Sequence, residues 1–303
     1  MPRSFDEILT KARGLGKVTV SVAVAQDKDV LLALKSACDV GLADAILVGD
    51  TSLIKPLLAE VGLPADTRIV HEPEMARAAL TAVSLVRKGE AQVLMKGMVN
   101  TSDFLKAVLN AEVGLRTGRL LSHLGVAEIP GVDRLLFQTD GGMNIAPALA
   151  EKKDILTNAM LALHAIGIAE PKVAVLTANE QVNPKMPATV DAKALADMAA
   201  AGELPRGVVE GPIALDVAAS AEAAKHKGIS SKVSGQVDIM MVPNIETGNA
   251  LGKSLIYYAK AKFAGVVLGA THPIVLTSRA ETPEGKLNSI ALACLIAGGA
   301  ERR

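Results

Sequence analysis

An arginine directly after a serine, in TSRAE (277–281) at the end of an apolar run, is a pair that could grip a phosphate. The guanidinium of Arg279 can fork onto two phosphate oxygens and keeps its charge at any working pH, and Ser278 beside it is a donor. Taken alone, such a pair is more often an ordinary part of a loop. Arg116 and Arg119 in LRTGR (115–119) stand one helical turn apart in a helical reading and could project to one face. Either could instead pair with a surface carboxylate, a contribution usually below about 1 kcal/mol. In VLMKG (93–97), Lys96 and Gly97 occupy a turn where a cation and backbone amides could meet a phosphate, although a solvated lysine is the commoner explanation. VPNIETGN (242–249) closes a strand and opens a helix, so amides after Glu246 could hold an anion at the positive helix end, with Gly248 permitting close backbone approach. An N-capped helix, with Thr247 or Asn244 as the cap, fits that stretch equally well. FQTDGGMNIAP (137–147) adds the polar groups Asp140 and Asn144, while Gly141 and Gly142 need be no more than a tight turn.

The elements that must position these residues alternate. VTVSVAVA (18–25) reads as a strand, followed by a helix from Asp27 to about Cys38, a strand at AILVGD (45–50) and a short helix from Thr51. TRIVHE (67–72), a helix over 75–88 and AQVLMKG (91–97) continue the pattern. Short apolar runs rich in β-branched residues, each followed by helical periodicity, predict a mostly parallel sheet with helices on both faces. Ligands of such sheets collect outside the carboxyl edge and at helix N-termini. After Gly97, Thr101, Ser102 and Asp103 offer an N-cap and an acidic first turn. Two adjacent strands and a Gly-rich loop are expected over 120–150, and a domain crossing near Val126. Further on, helices are expected over 151–167, 189–201 and 216–226 and from Thr247 to about Lys262, with strands at 172–178, 237–243 and 265–270. The last block, from Thr271, reads as turn, strand, polar loop and a closing helix whose face could return to the first domain. The fold class is α/β and doubly wound; if that helix does return, two three-layer domains result, residues 1–126 with 270–303 and residues 127–269, and the ligand site is expected in the cleft between them.

The 303 residues favour two domains over one. Only 2% of them are aromatic and none is Trp, so the core must be built from Ala, Val, Leu, Ile and Met. Lys plus Arg and Asp plus Glu both total 32, so no net field draws the chain to nucleic acid or an anionic membrane, and any anion must be gripped locally. Cys38 and Cys294 lie far apart without zinc-ligand spacing, which fits reduced core thiols. No apolar run reaches the ~18 residues of a membrane span, and a cytoplasmic protein is expected.

Three stretches together, LRTGRLLSH (115–123), VPNIETGN (242–249) and HPIVLTSRAE (272–281), resemble the signature segments of the phosphate acetyl/butyryltransferase family, in matching order along almost the whole chain. FQTDGGMNIAP resembles a stretch of the butyryltransferase branch. The resemblance implies an isocitrate/isopropylmalate dehydrogenase-like two-domain architecture, a homodimer, and the reaction acyl-CoA + phosphate = acyl phosphate + CoA, with butyryl favoured over acetyl. Coenzyme A is then a substrate, and neither a resident cofactor nor a metal is expected. That chemistry needs guanidinium groups for phosphate, a base near sulfur and donors at the carbonyl oxyanion.

The resemblance assigns phosphate to Arg279 and, ahead of Arg119, to Arg116. It leaves Ser278 as a donor near the carbonyl or sulfur, and Lys96, Asp140, Asn144, Glu246, Gly248 and Asn249 as further substrate contacts. The acetyltransferases carry an Asp seven residues after the motif serine as proposed thiol base; here that position is Gly285, so Glu281 or Glu284 is expected to take the proton. An arginine that family members carry after the ETGN-like motif is replaced here by Tyr257 or Tyr258. His123 and His272 read as structural groups. The competing readings are a relative that binds coenzyme A and phosphate without turnover, and a metal- and NAD-dependent decarboxylating dehydrogenase. The second lacks an Asp cluster and any GxGxxG after the first strand.

Overall fold

The computed structural model describes residues 2–276 and 281–300. The chain divides into two units: Phe5–Arg119 with the segment from Ala264 onward, and residues 2–4 with Leu120–Phe263. Val126, where the sequence places the crossing, lies inside a strand of the second unit.

In the first unit the order is α1 (Phe5–Gly14), β1 (Val18–Ala23), α2 (Lys28–Asp39), β2 (Ala43–Gly49), α3 (Thr51–Val61), β3 (Arg68–His71), α4 (Met75–Arg87), β4 (Val93–Lys96) and α5 (Thr101–Val108). Helix α1 falls where no element is expected; Phe5, Ile8 and Ala12 recur on its buried face. The helices start where a polar side chain takes over orphan amides: Asp27, Asp50, Glu74 and Asn100 each accept backbone N–H groups of the first turn that follows. The cap of α5 is thus Asn100, one residue before the expected Thr101, and Asp103 keeps its place in the acidic first turn.

The second unit follows with β5 (Ser122–Glu128), β6 (Leu135–Thr139), α6 (Leu149–Ala165), β7 (Lys172–Leu176), α7 (Pro187–Ala200), β8 (Val208–Ile213), α8 (Leu215–Ala219), α9 (Ala221–His226), β9 (Ile239–Met241) and α10 (Ile245–Tyr257). One helix was expected over 216–226. Two form because Ser220 is extended, at φ −135° and ψ 117°, and its hydroxyl caps α9 by accepting from the Ala223 amide. β10 (Lys262–Leu268), β11 (Ile274–Val275) and α11 (Pro283–Ala300) complete the described chain.

In the first unit the strand order is β3-β2-β1-β4-β11-β10, parallel from β3 to β11 with β10 antiparallel to β11. In the second it is β5-β6-β9-β7-β8, antiparallel only between β5 and β6. Each unit is a mixed α/β structure. α11 is buried along nearly its whole length and packs on α1 and α2, and from Ile290 onward its sequence is accordingly apolar all round and rich in Ala and Gly.

Candidate active site

In the first unit, β1, β2, β3, β4 and β11 all end at one edge because they run parallel. Lys96 is the last residue of β4, and its Nζ donates to the Gly97 carbonyl at 3.3 Å. The turn is locked to the one after β1: Gly97 N donates to Ala23 O (2.9 Å) and Met98 N to Val24 O (2.8 Å). A Cβ at Gly97 would lie 2.2 Å from the Val24 oxygen, so this close approach of two backbones needs glycine. Val275 of β11 stands opposite Met95 of β4, so the chain passes Leu276 at the edge where Lys96 lies. Ser278 and Arg279 lie outside the described residues.

The stretch that carries Arg116 is fastened to the segment leading into β11. Arg116 and Ala270 form an antiparallel bridge, Thr271 N donates to Leu115 O (2.9 Å), and the Thr117 hydroxyl donates to Gly269 O (2.5 Å). LRTGR is thus fastened to residues 269–271, immediately before HPIVLTSRAE. Residues 115–119 are not helical as expected: Arg116 is extended, and a turn with Gly118 at φ 89° separates it from Arg119, so helical spacing does not relate the two arginines. Arg116 is exposed and its guanidinium has no partner among the described residues, whereas Arg119 is half-buried. Glu281 is half-buried and accepts from the Ser289 hydroxyl at 3.1 Å, which in turn accepts from Gly265 N. Glu284 is exposed in the first turn of α11, one residue before the buried Gly285.

In the second unit, β6 delivers Asp140 at the same edge where β5 begins. Its carboxylate is 3% exposed and takes four donors: Oδ1 accepts from Gly142 N (2.8 Å) and Met143 N (2.9 Å), and Oδ2 from His123 N (3.0 Å) and Asn144 Nδ2 (2.6 Å). Asn144 Nδ2 also donates to Leu121 O at 3.0 Å, and the Thr139 hydroxyl donates to His123 O at 2.9 Å. Asp140 and Asn144, expected as substrate contacts, hold the loop after β6 against the start of β5. The imidazole of His123 is pushed below its ordinary pKa by burial, against the opposing pull of the Asp140 carboxylate.

The first turn of α10 is capped by Asn244, whose Oδ1 accepts from Thr247 N (3.0 Å) and the Thr247 hydroxyl (2.7 Å). Gly248 is buried against the loop: a Cβ there would lie 2.5 Å from Gly141 Cα, and Gln138 Nε2 donates to Gly248 O at 2.6 Å. Its lack of a side chain therefore serves the packing of α10 on the Asp140 loop. Glu246 and Asn249 are exposed on α10, and Tyr257 and Tyr258 are exposed at its far end. The hydroxyl of Thr271 and Nδ1 of His272 lie 3.0 Å apart. Among the described residues no group of three or more His, Cys, Asp or Glu could hold a metal, and no helix is long and apolar enough to cross a membrane.

The phosphate acetyl/butaryl transferase family matches residues 64–294. A phosphate butyryltransferase of Clostridium acetobutylicum is 50% identical, over 98% of this chain and 99% of its own length. A phosphate acetyltransferase of Rhizobium meliloti is 42% identical, over 98% of this chain and 94% of its own. The crystal structure of a branched-chain phosphotransacylase from Enterococcus faecalis, 35% identical, superposes with a TM-score of 0.80 over 92% of this chain and 99% of that one. With a match of this extent, the chain belongs to the phosphate acetyl/butyryl transferase family of acyltransferases.

Proposed function

We propose that this chain transfers a short acyl group directly between coenzyme A and inorganic phosphate in a ternary complex, with butyryl favoured over acetyl. The observation that carries the reading is the joining of the Arg116 segment to the segment entering β11, which puts a guanidinium without a partner among the described residues beside the approach to that strand. The butyryl preference is supported by the TDGGMN loop and by a butyryltransferase relative more similar to this chain than the acetyltransferase one.

A phosphate oxygen attacks the thioester carbonyl, and the thiolate of coenzyme A leaves. Arg279 and Arg116 are assigned to phosphate, where guanidinium groups neutralise and orient the nucleophile. Ser278 is assigned to the carbonyl oxygen or sulfur, and Lys96 with the Gly97 turn to phosphate charge. Arg119, Glu246, Gly248 and Asn249 are assigned to the outer substrate contacts, with Asp140 and Asn144 shaping the loop beside them. Glu281 and Glu284 are the acidic candidates for the proton at the entry to α11. Coenzyme A enters as substrate, with no resident cofactor. The dehydrogenase-like two-domain layout, the homodimer and a cytoplasmic setting belong to the same reading; Cys38 and Cys294 are both free thiols, as a reducing compartment requires.

The test is release of coenzyme A thiol from acetyl-, propionyl-, butyryl- and isobutyryl-CoA, with and without phosphate. Phosphate-dependent turnover that is fastest with a four-carbon acyl group supports the reading. Coenzyme A binding without turnover of any of the four contradicts it.

A further inference from the structure

The imidazole of His123 lies in a slot walled by two glycines. A Cβ at Gly142 would stand 3.0 Å from its Cγ and 3.3 Å from its Nδ1, and one at Gly125 would stand 3.4 Å from its Cε1 and 2.6 Å from Cζ of Phe263. The residue is fixed on both sides of its Cα, by its N–H on Asp140 Oδ2 and by its carbonyl under the Thr139 hydroxyl. Main chain and walls therefore fix the ring, yet neither ring nitrogen has a hydrogen-bond partner among the described residues, and the side chain is only half-buried. A structural histidine normally spends at least one ring nitrogen on a partner, as His164 does on the Arg206 carbonyl at 2.8 Å. His123 does not. It sits where β5 begins, at the edge where β6 ends and, across β6, where β9 gives way to α10.

We propose that His123 is the proton acceptor for the coenzyme A thiol when acyl phosphate is the acyl donor. This rests on the proposed acyl transfer and replaces Glu281 and Glu284 in the role of base. The S–H proton passes to a ring nitrogen as sulfur bonds to the acyl carbon. The bond from that carbon to the phosphate oxygen breaks, and inorganic phosphate leaves. In the other direction the imidazolium returns the proton to the departing thiolate, so no oxidant or further reactant is needed. A base must be neutral before it acts, and burial favours the neutral ring. Asp140 is the charged group whose field reaches the ring. On the elements around it, Lys152 is paired with Asp191 and Asp154 accepts from the Leu120 amide, while Glu246 and Lys253 belong to α10, Glu128 to the far end of β5 and Lys262 to the start of β10.

The experiment measures kcat/KM for thioester formation from acyl phosphate and coenzyme A between about pH 5 and 9, in the wild type, His123→Gln and His123→Ala, each checked for native circular dichroism. Wild-type activity should fall on the acid side with a midpoint below the ordinary imidazole value of 6.5. His123→Gln should lose about 10²–10⁴-fold and replace that limb with a continuous rise with pH, as solvent must then form the thiolate. Free imidazole should restore activity to His123→Ala. The inference is overturned if either folded variant stays within about threefold of wild type, if the acid limb persists in His123→Gln, or if Glu281→Gln or Glu284→Gln abolishes it. Should His123→Ala fail to fold, the profile of His123→Gln decides. A wild type without turnover in the same assay removes the proposed function itself, whereas a turning-over wild type with unaffected variants removes only His123.

Discussion

Replacing Asp140 by Asn tests whether this buried carboxylate organises the loop after β6. The change is nearly isosteric, so it isolates hydrogen bonding from packing. Whichever oxygen becomes an NH2, two donors lose their acceptor and face another donor: either the amides of Gly142 and Met143, or the amide of His123 and Nδ2 of Asn144. Hydrogen bonds to a charged group contribute about 1.5–3 kcal/mol each, so the gross loss is about 3–6 kcal/mol. The Asn144 amide can turn over to offer its oxygen, which recovers one contact and releases the Leu121 carbonyl, leaving about 2–5 kcal/mol. A chain of two units need not unfold in one step, so a local readout is required. Amide hydrogen exchange at His123, Gly142 and Met143 supplies it. With tenfold per 1.4 kcal/mol, exchange there should accelerate by about 30-fold to several thousand-fold, while amides of β1 and β2 in the first unit stay unchanged. Acceleration below about fivefold, under 1 kcal/mol, would refute the claim that the carboxylate holds the loop.

Gly97→Ala should cost about 1–3 kcal/mol or more in thermal unfolding, because the added Cβ meets backbone oxygens of Val24 and Ala23 that cannot rotate away; an unchanged Tm would show that the two turns are free to separate. Burial pushes the Cys294 thiol up to about 12, so at pH 8 only about one molecule in 10⁴ carries the thiolate. The native chain should accordingly show a thiol reagent Cys38 alone, slowly, and Cys294 only after denaturation; rapid native labelling of Cys294 would contradict its placement in α11. Burial raises the Asp238 carboxyl, so the folded chain holds that proton longer than the unfolded one. Stability from this group is full below the unfolded value of 3.8 and is lost as pH rises through the folded value, so Asp238→Asn should gain on the wild type in urea midpoint as the pH is raised above 3.8. A difference that does not change with pH would remove the linkage.

The strands were legible because VTVSVA, ADAILVG and VLMK are continuous apolar runs, and a run of that kind can only be covered on both faces or fail to fold. The helices were legible where apolar spacing was undiluted and missing where it was not: in α1 charged residues alternate with Phe5, Ile8 and Ala12, and at Ser220 a single extended residue cut one expected helix into two. The site was less legible. VPNIETGN left Asn244 and Thr247 equivalent as caps, and only the direction of the chain leaving β9 decides between them. Asp140 reads as a substrate contact because a polar residue beside two glycines is what a binding loop presents, and that pattern does not show what holds the carboxylate in place. Its actual donors include the His123 amide, seventeen positions earlier on the antiparallel neighbour, and no local pattern encodes that pairing. The helical spacing of Arg116 and Arg119 failed because Gly118 turns the chain, and the value of Arg116 comes from its bridge to Ala270, a contact between distant segments. His123 carried one signal, its place at the end of LRTGRLLSH; the two glycines that wall its ring are invisible without the fold.

The measurement that bears most directly on the central claim is product identity. Butyryl-CoA and phosphate are incubated with the chain, the acyl phosphate formed is trapped with hydroxylamine as the hydroxamate, and free thiol is counted in the same sample. Phosphate acyl transfer requires hydroxamate and thiol in equal amounts, and neither without phosphate. Thiol released without phosphate, or released without matching hydroxamate, would mean that water and not phosphate accepts the acyl group, and would contradict phosphate acyl transfer as the activity of this fold.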